Sequence, residues 1–310
     1  MLPILPQPPL AETIAADTHW QLRSLLALWS QPQPDRTIAE QRTMAEAMTR
    51  PLADARIARF GVTLADATMH GVPVKTVAPP QGGAHAGSGL LINLHGGGFV
   101  VDAGSLAESV PIAALSGVPV VTVQYRLAPE HPFPAPVDDA LAVYRAALER
   151  YPPGRIAVFG TSAGAILTAQ LLARLKHEGL PMPAAAGIFS GTADLARAGD
   201  IEGYLPPLPG GRTLADAARA FAPGQDPRDP LFSPLFGDLA DFPPMLLMTS
   251  TRDQLLSQTV MFHLALRAAG IAADLIVHEA MPHAFWALMD CHESDVALRQ
   301  QAAFLRRALA

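Results

Sequence analysis

Short apolar runs recur along the chain, and each ends in glycine, proline or small polar residues. Leu90-Leu91-Ile92-Asn93-Leu94, Val120-Val121-Thr122-Val123, Ile156-Ala157-Val158-Phe159, Ile188-Phe189, Met245-Leu246-Leu247-Met248 and Leu275-Ile276-Val277 read as buried strands. Between them the apolar spacing changes to that of helices. Ile166 to Leu172 is one such segment. Leu256, Val260 and Leu264, closed by Gly270, mark another, and a terminal helix spans roughly 293–309. Asp138, Asp139, Leu141, Ala142 and Tyr144 start a further helix, with acids near its positive end. Strands apolar throughout, alternating with helices, predict an α/β fold on a mostly parallel sheet.

The flanks depart from this alternation. Leu22, Leu25, Leu26 and Trp29 share one face of a predicted helix, and Thr37-Ile38-Ala39-Glu40 is a capping-box start for a second. Pro32 and Pro34 separate the two. These helices either pack on the core or form part of a lid. Two strands are expected over 55–78. The first lies around Ile57, Phe60 and Val62, the second around Val72, Val74 and Val77, with a turn at Met69-His70-Gly71 and a loop from Pro79 to Gly83. Residues 192–240 lose the α/β rhythm and contain a second capping-box-like start, Thr213-Leu214-Ala215-Asp216. The domain reading is an N-terminal helical segment over 1–50 and a catalytic domain over 51–310, with 192–240 inserted.

Composition narrows the classes. The chain has 310 residues, of which 50% are apolar and only 16% charged. That suits a large core and argues against disorder. The net charge is −6 with no basic run, so no nucleic-acid partner is expected. No apolar run reaches the roughly 18 residues of a membrane span. Met1 to Pro6 is apolar but broken by proline and lacks basic residues, so no signal peptide is expected and a cytoplasmic location is the expectation. The single cysteine, Cys291, excludes an intramolecular disulfide, and no motif around it suggests a nucleophile.

Candidate chemistry sits at strand ends. Gly160-Thr161-Ser162-Ala163-Gly164 falls between a strand and a helix, the spacing of a nucleophile elbow. The turn is so tight that the residues two before and two after the serine must be small. It exposes the serine Oγ and puts the Ala163 N–H beside it. His95-Gly96-Gly97-Gly98-Phe99 follows another strand. Its glycines allow backbone N–H groups to aim into a cavity and hold a developing oxyanion. A phosphate-cradling loop would need a following lysine, which is absent. The His95 side chain is read as an anchor for this loop. An acyl-transfer triad then needs an acid and a base. Asp253 and His283 each follow a core strand, in the chain order Ser, acid, His. Rival bases are His278 and His292, and rival acids are Asp229, Asp241 and Asp290. Glu130, Asp138 and Asp139 are read as structural, with a general acid/base group as the alternative. No metal-ligand spacing is present.

These stretches, with Tyr125-Arg126-Leu127-Ala128-Pro129-Glu130-His131-Pro132-Phe133-Pro134-Ala135, resemble the hormone-sensitive lipase family of bacterial carboxylesterases. The resemblance runs from about residue 55 to the end. It implies an eight-stranded α/β-hydrolase core with helices on both faces. It also implies a helical cap from the N-terminal segment and the insert, and hydrolysis of small-molecule esters of short to medium acyl chain with no cofactor. Carried over are Ser162 as nucleophile, Asp253 as orienting acid and His283 as base, with Gly96, Gly97 and Ala163 as oxyanion donors. Thr161 stands where the family commonly has Asp, Ala284 where it often has Gly, and Ser257 where it often has an acid. A homodimer paired through the last strand is a further family expectation. A lactonase or amidase would use the same residues. A ligand-binding receptor would keep the cavity without the base.

Overall fold

The computed structural model describes residues 11–29, 34–80, 89–205 and 213–310. The N-terminal stretch Met1 to Pro6, Pro32, the Gln81–Gly83 part of the expected loop and the side chain of Trp29 lie outside the described residues. An eight-stranded sheet runs through the molecule in the order β1-β2-β4-β3-β5-β6-β7-β8. Its strands are β1 (Thr63–Met69), β2 (Val72–Ala78), β3 (Leu90–Leu94), β4 (Val120–Val123), β5 (Ile156–Thr161), β6 (Ala185–Phe189), β7 (Met245–Arg252) and β8 (Ala273–Pro282). β2 is antiparallel to both its neighbours, and β3 to β8 are mutually parallel. The helices are α1 (Ala16–Trp29), α2 (Ile38–Phe60), α3 (Ser105–Ser116), α4 (Ala135–Leu148), α5 (Ala163–His177), α6 (Leu214–Phe221), α7 (Leu256–Ala268), α8 (Phe285–Leu288) and α9 (His292–Ala308).

Every residue of β3, β4, β5 and β6 is buried, as parallel strands covered on both faces require. Alternate side chains enter opposite layers. Ile92, Val158, Ile188 and Leu247 meet Val137 and Tyr144 of α4, Leu167 and Leu171 of α5 and Phe262 of α7. Leu91, Phe159, Phe189 and Met248 meet Val110 of α3 and Leu298 and Leu305 of α9.

Two stretches differ from the sequence expectation. Ile57 and Phe60, expected in a strand, lie in the last turns of α2, where they pack against the α3/α9 layer. α2 begins at the Thr37 capping box, accommodates Pro51, continues through residue 50 without a break and closes at Gly61. The second difference is α3, which shows no apolar stripe because it is buried nearly all round. Its first turn is held by the Asp102 carboxylate, which accepts from Gly104 N (3.1 Å), Ser105 N (2.9 Å) and Ser105 Oγ (2.6 Å).

Several other expected elements are present. The Met69-His70-Gly71 turn joins β1 and β2 as an antiparallel hairpin at one sheet edge. Leu22 of α1 is buried, and Leu25 and Leu26 are partly buried beside it. The Ala15 N–H donates to Glu293 of α9 at 2.7 Å. In the insert, Thr213 caps α6. No described helix is long and apolar enough to cross a membrane.

Candidate active site

Ser162 stands between β5 and α5 with φ 58° and ψ −120°. The turn tolerates no side chain at its flanking glycines. A Cβ on Gly160 would lie 2.3 Å from the Gly164 carbonyl, and one on Gly164 would lie 1.8 Å from Leu94 O. The Ser162 N–H donates to Phe189 O at 2.9 Å, which ties the elbow to the neighbouring strand end. Parallel strands bring their carboxyl ends to one edge, where the following loops meet. Asp253 follows β7 and His283 follows β8.

The three side chains form one hydrogen-bonded chain. His283 Nε2 lies 2.9 Å from Ser162 Oγ, and His283 Nδ1 lies 2.7 Å from Asp253 Oδ1. Asp253 is fully buried and His283 nearly so. Burial alone would raise the Asp253 carboxyl. The His283 ring, hydrogen bonds from His283 and Ser190, and the Leu255 N–H at 2.9 Å hold it below its ordinary value. Thr249 Oγ1 donates to its other oxygen at 3.0 Å.

None of the rivals reaches this chain. His278 bonds Gln300 at 3.0 Å, and His292 opens α9 on the surface. Asp290 lies 3.6 Å from Arg59, Asp229 accepts from Gln225, and Asp241 lies 4.0 Å from Lys176. Glu130, Asp138 and Asp139 pair with Arg42 (2.6 Å), Arg174 (3.3 Å) and Arg126 (2.7 Å). Cys291 is a buried free thiol 3.2 Å from Ser294 Oγ, and burial pushes it up.

The glycine loop lies against the elbow. A Cβ on Gly96 would sit 3.4 Å from Ser162 Cβ and 2.9 Å from Thr161 O. Gly97 takes φ 126°, and a Cβ there would collide with Val101 O at 1.9 Å. The N–H groups of Gly96, Gly97 and Ala163 have no backbone acceptor among the described residues. His95 anchors the loop from behind. Its ring stacks on Tyr125 at 4.1 Å and lies 2.9 Å from Gly96 O, while Tyr125 Oη donates to His95 O at 2.6 Å.

Both irregular regions reach this loop. Arg42 of α2 donates to Val100 O (3.0 Å), Ala128 O (3.2 Å) and the Glu130 carboxylate. Phe221 of α6 stacks on Phe99 at 3.8 Å, and its carbonyl accepts from Phe133 N at 2.9 Å. Among the described residues no group of three or more His, Cys, Asp or Glu is placed to hold a metal ion.

Sequence reasoning missed two residues of the site. Ser190 follows β6 with φ 47°; its hydroxyl bonds Asp253 and accepts from Ala284 N at 3.1 Å. It therefore links the acid to the residue after His283. Thr249 supports the same carboxylate from within β7. The only signal for either was a position at or near the end of a core strand.

A family model for the alpha/beta hydrolase fold matches residues 91–287. The chain is 35% identical over 225 residues to an acetyl-hydrolase of Streptomyces hygroscopicus, covering 70% of this chain and 75% of that protein. It is 32% identical over 282 residues to the carboxylic ester hydrolase LipN of Mycobacterium tuberculosis, covering 80% of this chain and 69% of that one. The crystal structure of an esterase from the bacterial hormone-sensitive lipase family superposes with a TM-score of 0.83 at 31% identity, covering 94% of this chain and 98% of that one. An eight-stranded sheet of this order, a glycine-flanked serine and these similarities lead to one conclusion: the chain belongs to the hormone-sensitive lipase family of α/β-hydrolases and is a carboxylic ester hydrolase.

Proposed function

We propose that Ser162, His283 and Asp253 hydrolyse small carboxylic esters of short to medium acyl chain through an acyl-enzyme. The observation that carries this reading is the continuous hydrogen-bonded chain from Ser162 Oγ through both nitrogens of His283 to buried Asp253. As Oγ attacks the ester carbonyl, its proton passes to His283 Nε2. Asp253, kept ionised by its donors, orients the ring through Nδ1–H and stabilises the imidazolium. The carbonyl oxygen becomes an oxyanion and takes the N–H groups of Gly96, Gly97 and Ala163. They are fixed in place before reaction, so no reorganisation is needed as charge develops. His283 then protonates the departing alcohol. Water enters and attacks the acyl carbonyl as His283 takes its proton; the bond to Ser162 Oγ then breaks, His283 returns the proton to Oγ, and the acid leaves. The reactions at these residues need no cofactor.

The preference for short chains rests on the acetyl-hydrolase relative and on Phe99 and Phe221, which stack beside the glycine loop. The N-terminal helices and the 192–240 insert act as a cap, a reading supported by the Arg42 and Phe221 contacts to the same loop. Two copies pair through β8, whose outer edge is unpaired among the described strands. The test is hydrolysis of p-nitrophenyl esters from acetyl to palmitoyl, beside a lactone and an anilide, with Ser162→Ala as control. Turnover peaks at the short esters and falls by at least about 10⁴-fold in the variant, which keeps its fold. Ser162→Ala with wild-type turnover would refute the nucleophile, and a preference for the lactone or anilide would replace the substrate class.

A further inference from the structure

Behind the elbow lies a buried acid that the reaction does not use. Glu108 of α3 is 2% exposed. Its Oε1 accepts from the Thr161 hydroxyl and from Trp286 Nε1 at 3.2 Å, and its Oε2 accepts from Asn93 Nδ2 at 3.0 Å. Trp286 Nε1 also lies 3.1 Å from Thr161 Oγ1, and Asn93 Oδ1 accepts from Thr122 Oγ1 at 2.9 Å. Each of these three partners offers Glu108 a donor, so the network closes with the carboxylate as acceptor on both oxygens.

Burial pushes the Glu108 carboxyl up, against the three hydrogen bonds and the charge of Arg56. Arg56 of α2 is the buried counter-charge. Its guanidinium donates to Ala107 O, to Trp286 O at 2.8 Å and to Met289 O at 2.9 Å. A buried carboxylate is costly to keep, and a fold that needed only packing here would be served by an apolar side chain.

What distinguishes Glu108 is where its partners sit in the chain. Thr161 immediately precedes Ser162. Trp286 lies in α8, directly after the loop of His283. Asn93 lies in β3, just ahead of the glycine loop. Thr161 O is also the atom that a Cβ on Gly96 would meet at 2.9 Å, so the elbow and the glycine loop have no slack between them. The geometry points to Glu108 as a positioning residue: it holds Thr161 and Trp286 together and so fixes the separation of Ser162 and His283. It touches neither substrate nor reacting atoms. The inference rests on Ser162 and His283 being nucleophile and base.

The test replaces the acceptor without changing its shape. In Glu108→Gln, the amide NH₂ faces a group that now donates to the carboxylate, and Asn93 can meet it only by turning its own amide and giving up the hydrogen bond from Thr122 Oγ1. Adding Asn93→Asp restores every bond, because the new amide donates to Asp and keeps its oxygen for Thr161 and Trp286. Turnover of p-nitrophenyl butyrate is measured per site titrated with a fluorophosphonate, and the labelled residue is identified by mass spectrometry. Glu108→Gln lowers kcat by about 10- to 100-fold with KM within about twofold, since misplacement of reacting groups acts on the chemical step. The double variant regains most of that loss. Thr161→Val lowers kcat as well, and adds little to Glu108→Gln because both break one link. A lowered melting temperature with unchanged kcat per site would make Glu108 fold support only and overturn the inference. Should Glu108→Gln not fold, Thr161→Val decides alone, and an unchanged kcat overturns the inference. Labelling at a residue other than Ser162 would remove the site assignment on which the inference stands.

Discussion

Gly98 and Gly164 both belong to the motifs around Ser162, yet they are glycine for different reasons. Gly98 takes φ 59°, and a Cβ there would have nothing within 4 Å. Alanine at that position meets only backbone strain, about 1–2 kcal/mol. At Gly164 a Cβ would lie 1.8 Å from Leu94 O, so alanine must part α5 from the end of β3. We expect Gly164→Ala to cost more than about 4 kcal/mol, in the range reserved for severe core disruption. Denaturant unfolding midpoints compare the two, and equal midpoints would show that the close approach is not the constraint. This difference explains what was legible at the residue scale. Backbone crowding at Gly96, Gly97, Gly160 and Gly164, with the positive φ of Gly98, forces glycine at fixed offsets, so Ser162 and the His95-Gly96-Gly97-Gly98 loop announce themselves in the sequence. Asp253 and His283 were found by their positions after strands. Ser190 shares that position after a strand and Thr249 lies near the end of one, but no motif sets either apart, and Glu108 in α3 carries no mark at all. Each is a common polar residue whose role comes from partners distant in sequence, as when Ser190 meets Ala284.

At the scale of elements, the clamp between α2 and the glycine loop is electrostatic and therefore depends on pH. Hydrogen bonds from Arg42 hold the Glu130 carboxyl down from its ordinary 4.5 to about 2. A carboxyl whose folded value is depressed stabilises the fold above its unfolded value and loses that contribution as pH falls towards the folded one. The clamp therefore contributes fully above about pH 4.5 and loosens between there and about pH 2. Arg42→Met removes the pair. The wild type should be the more stable protein at pH 7, with only a small part due to the ion pair since Arg42 is partly and Glu130 well exposed, and that part should fade as pH falls to about 2, leaving what the Val100 and Ala128 bonds contribute. A difference that persists unchanged into acid would assign the effect to the Val100 and Ala128 contacts instead. The same helix shows where element reading fails. Ile57, Phe60 and Val62 suited a strand as well as a helix end, and only packing against the α3/α9 layer decided. α3 escaped because burial on nearly all sides erases the stripe by which a surface helix is recognised. The core strands were legible for the converse reason: burial on both faces makes them continuously apolar.

For the whole molecule, the sheet has two edges of different character, and the difference bears on assembly. Strand order was not readable from periodicity, since apolar strands carry no label for their neighbours; the resemblance supplied the count of eight. β1, at one edge, is mostly exposed, and its Asp66 pairs with Lys75 of β2 at 2.7 Å. Such charges discourage further pairing. β8, at the other edge, presents Val277 at 43% exposure, and the adjacent α7 presents Met261 at 51% and Leu264 at 54%. A strand whose outer edge is unpaired among the described strands, beside exposed apolar side chains, is a template for a second chain, and a second copy offers the same strand in a self-complementary, two-fold arrangement. We expect sedimentation equilibrium to show a dimer. Val277→Lys places a charge at the centre of the joint, opposite or near its own copy, and should shift the equilibrium to monomer while leaving the fold intact. Because Ser162 and His283 depend on β5 and β8 keeping their relative placement, the monomer should also lose thermal stability before it loses kcat. A wild type that sediments as a monomer at all concentrations would refute pairing through β8, and a dimer indifferent to Val277→Lys would place the joint on another face.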